Sequence, residues 1–241
     1  MDFKIIYEDN DVLVIDKPAG LVVFPEGSIV STVSTRPGLV DKTIIDYLIE
    51  QYPQLKTVGE APRYGVVHRL DKDTSGILLV AKNSGALIFL QKQFKNRRVE
   101  KKYTALATGI IKEDSGIIKT LIGRSPSDPR KQKAYSLDET KIGLREAISK
   151  YKVLERFQEY TLLEVSIETG RKHQIRCHLA HIHHPIAGDK LYGFKDSPLP
   201  DGLQRQFLHA SYMKIELPNK TEQEFTCELP EDLKEILNKL R

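Results

Sequence analysis

Three stretches of the chain concentrate side chains that can move protons, attack carbon or hold an anion. The first is His68-Arg69-Leu70-Asp71-Lys72-Asp73-Thr74-Ser75-Gly76, charged residues set between the apolar runs Val66-Val67 and Ile77-Leu78-Leu79-Val80. If residues 68 to 71 are extended, Arg69 and Asp71 share one face and Leu70 takes the other. A partly shielded carboxylate with a cation nearby stays ionised and suits nucleophilic or general-base work. A surface turn in which Asp71 or Asp73 caps backbone amides fits the same composition. The second stretch runs from Thr169 to His181 and on to His183-His184-Pro185, and holds five of the seven histidines. Thr169 is placed to cap a helix starting near Arg171, on which His173 and Arg176 would share a face while Ile175 and Leu179 turn to apolar neighbours. The third is Lys101-Lys102-Tyr103-Thr104-Ala105, where a phenol that can stack on a base follows a basic run, although a tyrosine there also suits a plain strand.

The histidines raise the question of a metal. His178 and His181 have His-x-x-His spacing, but no HExxH and no carboxylate at ligand spacing accompanies them, so no metal site is expected. Stacking, capping and phosphate contacts suit Arg171 and His173 better. GxGxxG, GxxxxGK[ST] and GxSxG are all missing, which removes the common backbone cradles for dinucleotides and nucleoside triphosphates and the usual serine elbow.

Charge points towards a polyanion by its distribution. The net charge of +4, from 37 basic and 33 acidic residues, is mild, yet residues 92 to 102 read KQFKNRRVEKK. Arg124, Arg130, Lys131 and Lys133 follow in a second cluster, and Arg171, Lys172 and Arg176 form a third. Any one such run is ordinarily a solvated face; three of them lean towards nucleic acid.

The elements that must position these groups follow from pattern. Phe3 to Tyr7 and Val12 to Asp16 form a hairpin across Glu8-Asp9-Asn10-Asp11, and Glu26 to Asp41 is a long loop. Lys42 to Tyr52 is a helix that Pro53 stops, and residues 84 to 96 form a second amphipathic helix. Strands are expected at Val66-Val67, 77 to 80, 101 to 108, 116 to 122, 145 to 155, 160 to 168, 206 to 217 and 223 to 228, before a helix from Pro230 to Leu240. Strands outnumber helices without alternating with them, which implies α+β with a mixed, largely antiparallel sheet flanked by helices and loops. The 241 residues, 40% hydrophobic and 29% charged, suit an ordinary globular protein, expected as one catalytic domain over 1–241. Cys177 and Cys227 are too few for a disulfide framework, no apolar run approaches the ~18 residues of a membrane span, and Asp2 stands where a signal peptide would be basic. A cytoplasmic location is expected.

Taken together and in order, these stretches resemble the RluA-type pseudouridine synthases. The family's patterns appear as Glu8-Asp9 through Lys17-Pro18-Ala19-Gly20 to Pro25, as His68 to Val80, and as Lys101 to Ala105. They continue as Thr169 through His178, His184 through Gly193, and Leu208-His209-Ala210. The resemblance implies isomerisation of uridine to pseudouridine in ribosomal or transfer RNA, without cofactor or metal, by a monomer with no obligatory protein partner. It implies that Asp71 is the catalytic aspartate, Tyr103 the active-site tyrosine and Arg176 the basic residue that pairs with the aspartate. Ile175 would lie beside the uracil, and Arg69 would enter the stack that the flipped nucleotide leaves. Several members carry a small RNA-binding domain before the core, and here the core pattern begins almost at once. RNA selection is then expected from the core, with Glu26 to Asp41 and Arg130, Lys131 and Lys133 as candidate contacts. Two other classes share some of these features: an RNA-binding module without turnover, and a hydrolase of N-glycosidic bonds, which would release free uracil.

Overall fold

A computed structural model describes residues 3–25 and 42–241, so the loop expected over Glu26 to Asp41 lies outside the described residues. The backbone groups into two units, Met1–Arg98 with Ile215–Phe225, and Val99–Lys214 with Thr226–Arg241.

In the first unit, β1 (Lys4–Glu8) and β2 (Val12–Lys17) form the expected hairpin. Asp9 makes its turn, its Oδ1 accepting from the amides of Asp11 and Val12 at 2.8 and 2.7 Å. β3 (Ser75–Ala81) pairs antiparallel with β2, from Val12 opposite Ala81 to Lys17 opposite Gly76, and is buried along its whole length. That burial is why its sequence reads as an unbroken apolar run. Of Val66-Val67, only Val66 pairs, as a single bridge to Val80. The chain enters it through Gly65 at φ +76°, where an added Cβ would lie 2.3 Å from the Ala81 carbonyl oxygen. α1 (Ile44–Gln51) starts in a capping box between Thr43 and Asp46 and buries Ile44, Ile45 and Leu48, each contributing about 1.5–3 kcal/mol. Pro53 then opens a 3₁₀ turn over Pro53–Thr57. α2 (Ser84–Lys95) is capped by Asn83 and buries Leu87, Leu90 and Gln93.

The second unit holds β4 (Glu100–Thr108), β5 (Ser115–Arg124), β6 (Gln132–Tyr135), β7 (Arg145–Arg156), β8 (Tyr160–Ile167) and α3 (Gln174–His181). Most of β9 (Leu208–Glu216) and α4 (Glu231–Leu240) complete it. Its strands run in the order β9-β4-β8-β7-β5-β6. The end of β9 and β10 (Glu222–Thr226) make a hairpin that belongs to the first unit from Ile215 to Phe225. Ten strands against four helices among the described residues, with antiparallel ladders throughout each unit, make the mixed α+β architecture that the pattern implied. β6 was not expected: four residues without full burial carry no alternation to read. No helix among the described residues is long and apolar enough to cross a membrane.

Candidate active site

In the first unit the residues from His68 to Asp71 are not a ladder strand, but the inferred alternation holds. Leu70 is buried, and Arg69 and Asp71 are half-buried on either side of it. The loop is fastened at both ends. His68 Nε2 accepts from the Leu79 amide at 3.0 Å, and its ring stacks on Phe94 of α2 with centroids 5.1 Å apart. After Asp71 the chain turns, the Thr74 amide donating to the Asp71 carbonyl at 3.1 Å. Gly76 then opens β3 at φ +111°, a conformation that L side chains rarely adopt.

Lys17 holds this turn from below. Its side chain is wholly buried, and Nζ donates to the carbonyls of Pro18, Lys72 and Thr74 at 2.7, 3.0 and 2.9 Å. A buried ammonium is tolerable only when its donors are satisfied, and here each has an acceptor. Two of the three, Lys72 and Thr74, lie in the turn that follows Asp71, and the Gly20 amide adds a bond to the Lys72 carbonyl at 2.9 Å. The Lys17-Pro18-Ala19-Gly20 motif is thus the seat of the Asp71 loop. Arg69, expected at a vacated base stack, lies with its guanidinium 5.2 Å from the Phe24 ring.

In the second unit Tyr103 is buried on β4, opposite Val165 of β8 and Ala210 of β9. The register slips beside it: Lys102 faces Tyr212 and Tyr103 faces Ala210, which leaves Ser211 as an extra residue in β9. Such bulges re-aim side chains. Lys101 precedes Tyr103 by two positions, and burial pulls its ammonium down to about 8.

α3 departs from expectation at its start. Its first residue is Gln174; His173 precedes it as the N-cap in the left-handed region, φ +54°, so His173 and Arg176 do not share a helical face. Thr169 does not cap the helix. Its hydroxyl donates to Gln174 Oε1 and accepts from the Ile148 amide, at 2.8 and 2.9 Å, while Gln174 Nε2 donates to the Ile148 carbonyl and Ser149 Oγ. The glutamine tethers the helix to β7 in place of a cap. His178 extends this buried network, its ring nitrogens on Thr120 Oγ1 at 3.0 Å and Ser149 Oγ at 2.9 Å. Burial, with a smaller contribution from His181, brings its pKa down to about 4. His178 therefore serves the packing as a neutral ring. Among the described residues no group of three or more potential ligands gathers as a metal site. Ile175 and Cys177 are buried, and burial pushes the Cys177 thiol up to about 12.

Arg176 is buried and held. Nε and Nη2 donate to Asp189 Oδ2 and Oδ1 at 2.7 and 2.9 Å, a fork-to-fork pair. Burial alone would raise the Asp189 pKa. The bonds and charge of Arg176, with the amides of Tyr192 and Leu191 on Oδ1, outweigh it and hold the carboxyl below its ordinary range. Gly188, at φ +73°, makes the turn possible, since a Cβ there would sit 2.2 Å from the Arg205 carbonyl oxygen. Tyr192 gathers the rest. Its ring lies 5.1 Å from the Arg176 guanidinium and 6.0 Å from Lys131 Nζ, and its hydroxyl accepts from the Gln132 amide at 2.6 Å and contacts His173 Nδ1 at 3.1 Å.

Arg176, His173 and Lys131 are therefore drawn together in the second unit around Tyr192, and Arg69 and Asp71 share one loop in the first. Arg171 donates from Nε to the Glu146 carbonyl at 2.9 Å, Lys133 lies 5.3 Å from the Tyr135 ring, and the exposed Arg130 is gripped by Asp128 at 2.8 and 3.0 Å. Lys17, Asp189 and Tyr192 had no role assigned from sequence, although each stands in a motif already noted; what betrayed them was a charged or phenolic side chain inside an otherwise turn-forming pattern.

Comparison with known proteins bears directly on these motifs. Residues 11–181 match the family described as RNA pseudouridylate synthase. The chain is 41% identical over 242 aligned residues to the Bacillus subtilis protein called uncharacterized RNA pseudouridine synthase YlyB, covering all of this chain and 74% of that one. It is 36% identical over 250 to ribosomal large subunit pseudouridine synthase D of Haemophilus ducreyi, covering 99% of this chain and 70% of the relative. Among solved structures, human RNA pseudouridylate synthase domain containing 4 superposes with a TM-score of 0.74 at 26% identity, over 98% of this chain and 92% of that one. A buried, satisfied lysine beneath the Asp71 loop and a held arginine on α3 thus stand in a chain that belongs to the RluA-type RNA pseudouridine synthases, the isomerases of uridine in RNA.

Proposed function

We propose that this chain converts specific uridines of ribosomal RNA to pseudouridine, with Asp71 as the catalytic carboxylate and the target base flipped out of its stack. The observation that carries the reading is the seating of Asp71: half-buried, at the start of a turn that a buried lysine holds through the Lys72 and Thr74 carbonyls. A loop that only connected two elements would not require a buried charge beneath it. The ribosomal assignment is supported by 36% identity to a large-subunit synthase across 99% of this chain.

The reaction detaches uracil at nitrogen, turns it and rejoins it through carbon. No electrons or groups enter or leave, so the chemistry balances without a cofactor. Asp71 acts at the sugar or base, as a nucleophile or as the base that takes a sugar proton. Arg176 supplies a fixed positive charge that favours ionised carboxylate, and Tyr103 offers a ring for the uracil to rest on. Unstacking the target costs a few kcal/mol, offset by that stacking and by phosphate contacts from the basic clusters. The protein is expected to act as a monomer in the cytoplasm.

The test is pseudouridine mapping of total RNA from source cells lacking the gene, complemented with wild type or Asp71→Asn. Ribosomal sites lost without the gene and restored by wild type alone are expected. Restoration by Asp71→Asn would remove Asp71 from the chemistry, and changes confined to transfer RNA would move the substrate.

A further inference from the structure

The basic run from Lys92 to Lys102 has only a general attraction for phosphate in the account above, yet part of it lines a pocket within the first unit. The pocket, about 150 Å³, lies between the C-terminal half of α2 and the β9–β10 hairpin and is lined by Phe89, Lys92, Gln93, Arg98, Glu216 and Lys220, with Asn96 at its edge. Lys92 and Arg98 are exposed and have no acidic partner among the described residues. Lys220 sits 4.3 Å from the Phe89 ring centroid, and its ion pair with Glu216 is long, at 3.5 Å. Three cations thus face one carboxylate.

Gln93 adds a separate observation. The residue is 6% exposed and lines the pocket, and its side-chain amide hydrogen-bonds to no described residue; since no buried side-chain nitrogen or oxygen among the described residues lacks a partner, the amide itself meets solvent. An amide that bonds to water alone at the mouth of a cationic pocket can exchange that water for the oxygen of a ligand. An amide donor beside two cations without an acidic partner among the described residues suits an anion with several acceptor oxygens. The volume suits a phosphate and part of its ribose more than a whole nucleotide.

We propose that this pocket binds a backbone phosphodiester of the RNA substrate, at a nucleotide other than the one isomerised. The proposal rests on the reading that RNA is the substrate. Gln93 donates to a phosphate oxygen and Lys92 and Arg98 neutralise it, while Glu216 keeps Lys220 turned to the Phe89 ring. Register along the RNA would then be fixed partly here, by contacts that carry no sequence information.

The experiment is fluorescence anisotropy of a labelled 20-nucleotide single-stranded RNA against the full chain, from 50 to 300 mM salt. Wild type is compared with Lys92→Ala/Arg98→Ala, with Gln93→Leu, and with Lys56→Ala as a charge control. Losing one phosphate contact flattens the plot of log affinity against log salt by about 0.7 in the double variant. Gln93→Leu, which removes no charge, is expected to weaken binding about two- to tenfold with the slope unchanged. Should both variants bind like wild type, or should Lys56→Ala flatten the slope as much as the double variant, the pocket is not a phosphate site. The exposed pair leaves the core intact, so a misfolded Gln93→Leu does not decide the matter. A wild type that binds no RNA removes the substrate reading itself, and this proposal with it.

Discussion

Replacing Asp189 by asparagine isolates the charge that holds Arg176. The amide keeps an oxygen where Oδ1 accepts from the Leu191 and Tyr192 amides, so the turn retains its acceptor, while the negative charge goes and an NH2 donor replaces Oδ2 opposite Arg176 Nε. The Asp189 side chain is fully buried and that of Arg176 is 9% exposed, so the cation is left in a site where solvent cannot compensate. Breaking one partner of a buried pair costs about 3–5 kcal/mol. With a urea dependence of about 3 kcal/mol per M, that moves the unfolding midpoint down by about 1–1.7 M. The pH dependence follows from the lowered Asp189 pKa. Its stabilisation is fully present above the unfolded carboxyl value, about 3.9, and is lost as pH falls through the lower folded value. The midpoints of wild type and variant should therefore lie farthest apart near neutrality and converge in acid. If Arg176 has the part in the chemistry proposed for it, pseudouridine formation falls further than RNA affinity. A stability loss under about 1 kcal/mol near neutrality, or a gap that widens in acid, would refute this account of the pair.

Two other outcomes follow from the same geometry. Lys17→Met removes the seat of the Asp71 loop without touching substrate, so single-turnover kcat should drop at least about tenfold, or 1.4 kcal/mol, with KM for RNA within about twofold; an unchanged kcat would show that the loop holds its own shape. Replacing Lys131 and Lys133 with alanine should flatten the salt dependence of RNA binding by about 1.4, and adding Arg130→Ala should change it little, because Asp128 already occupies that guanidinium; an equal third step would refute the distinction.

Much of the scaffold was legible in the sequence because burial writes itself into apolar spacing. The β1–β2 hairpin, α1 and α2 each carry a cap or turn residue beside a periodic run, and β3 is an apolar block. The failures have physical causes. α3 begins later than expected because the Thr169 hydroxyl is spent on the Gln174 amide and the Ile148 backbone, a long-range preference that no local capping rule contains. β6 is short and half-exposed, and its place is fixed by the Tyr192 hydroxyl on the Gln132 amide, sixty residues away. For the candidate site, the family resemblance singled out Asp71, Tyr103 and Arg176, which residue types alone left open, whereas Lys17 and Asp189, beside Asp71 and Arg176, lay inside patterns that look like ordinary turns. Supporting charges are hard to read from sequence, since what makes them supports is the burial they acquire only on folding.

The lysine beneath the Asp71 loop also makes the native state chemically silent at one amine. Its nitrogen has no exposed surface and its hydrogens are committed to peptide carbonyls, so an acylating reagent reaches it only when the turn from Lys72 to Thr74 lets go. Exposed amines such as Lys92 need no such opening. The ratio of the two labelling rates therefore measures how often the loop opens, and a bound RNA that stiffens the loop should slow the first without slowing amines remote from the substrate.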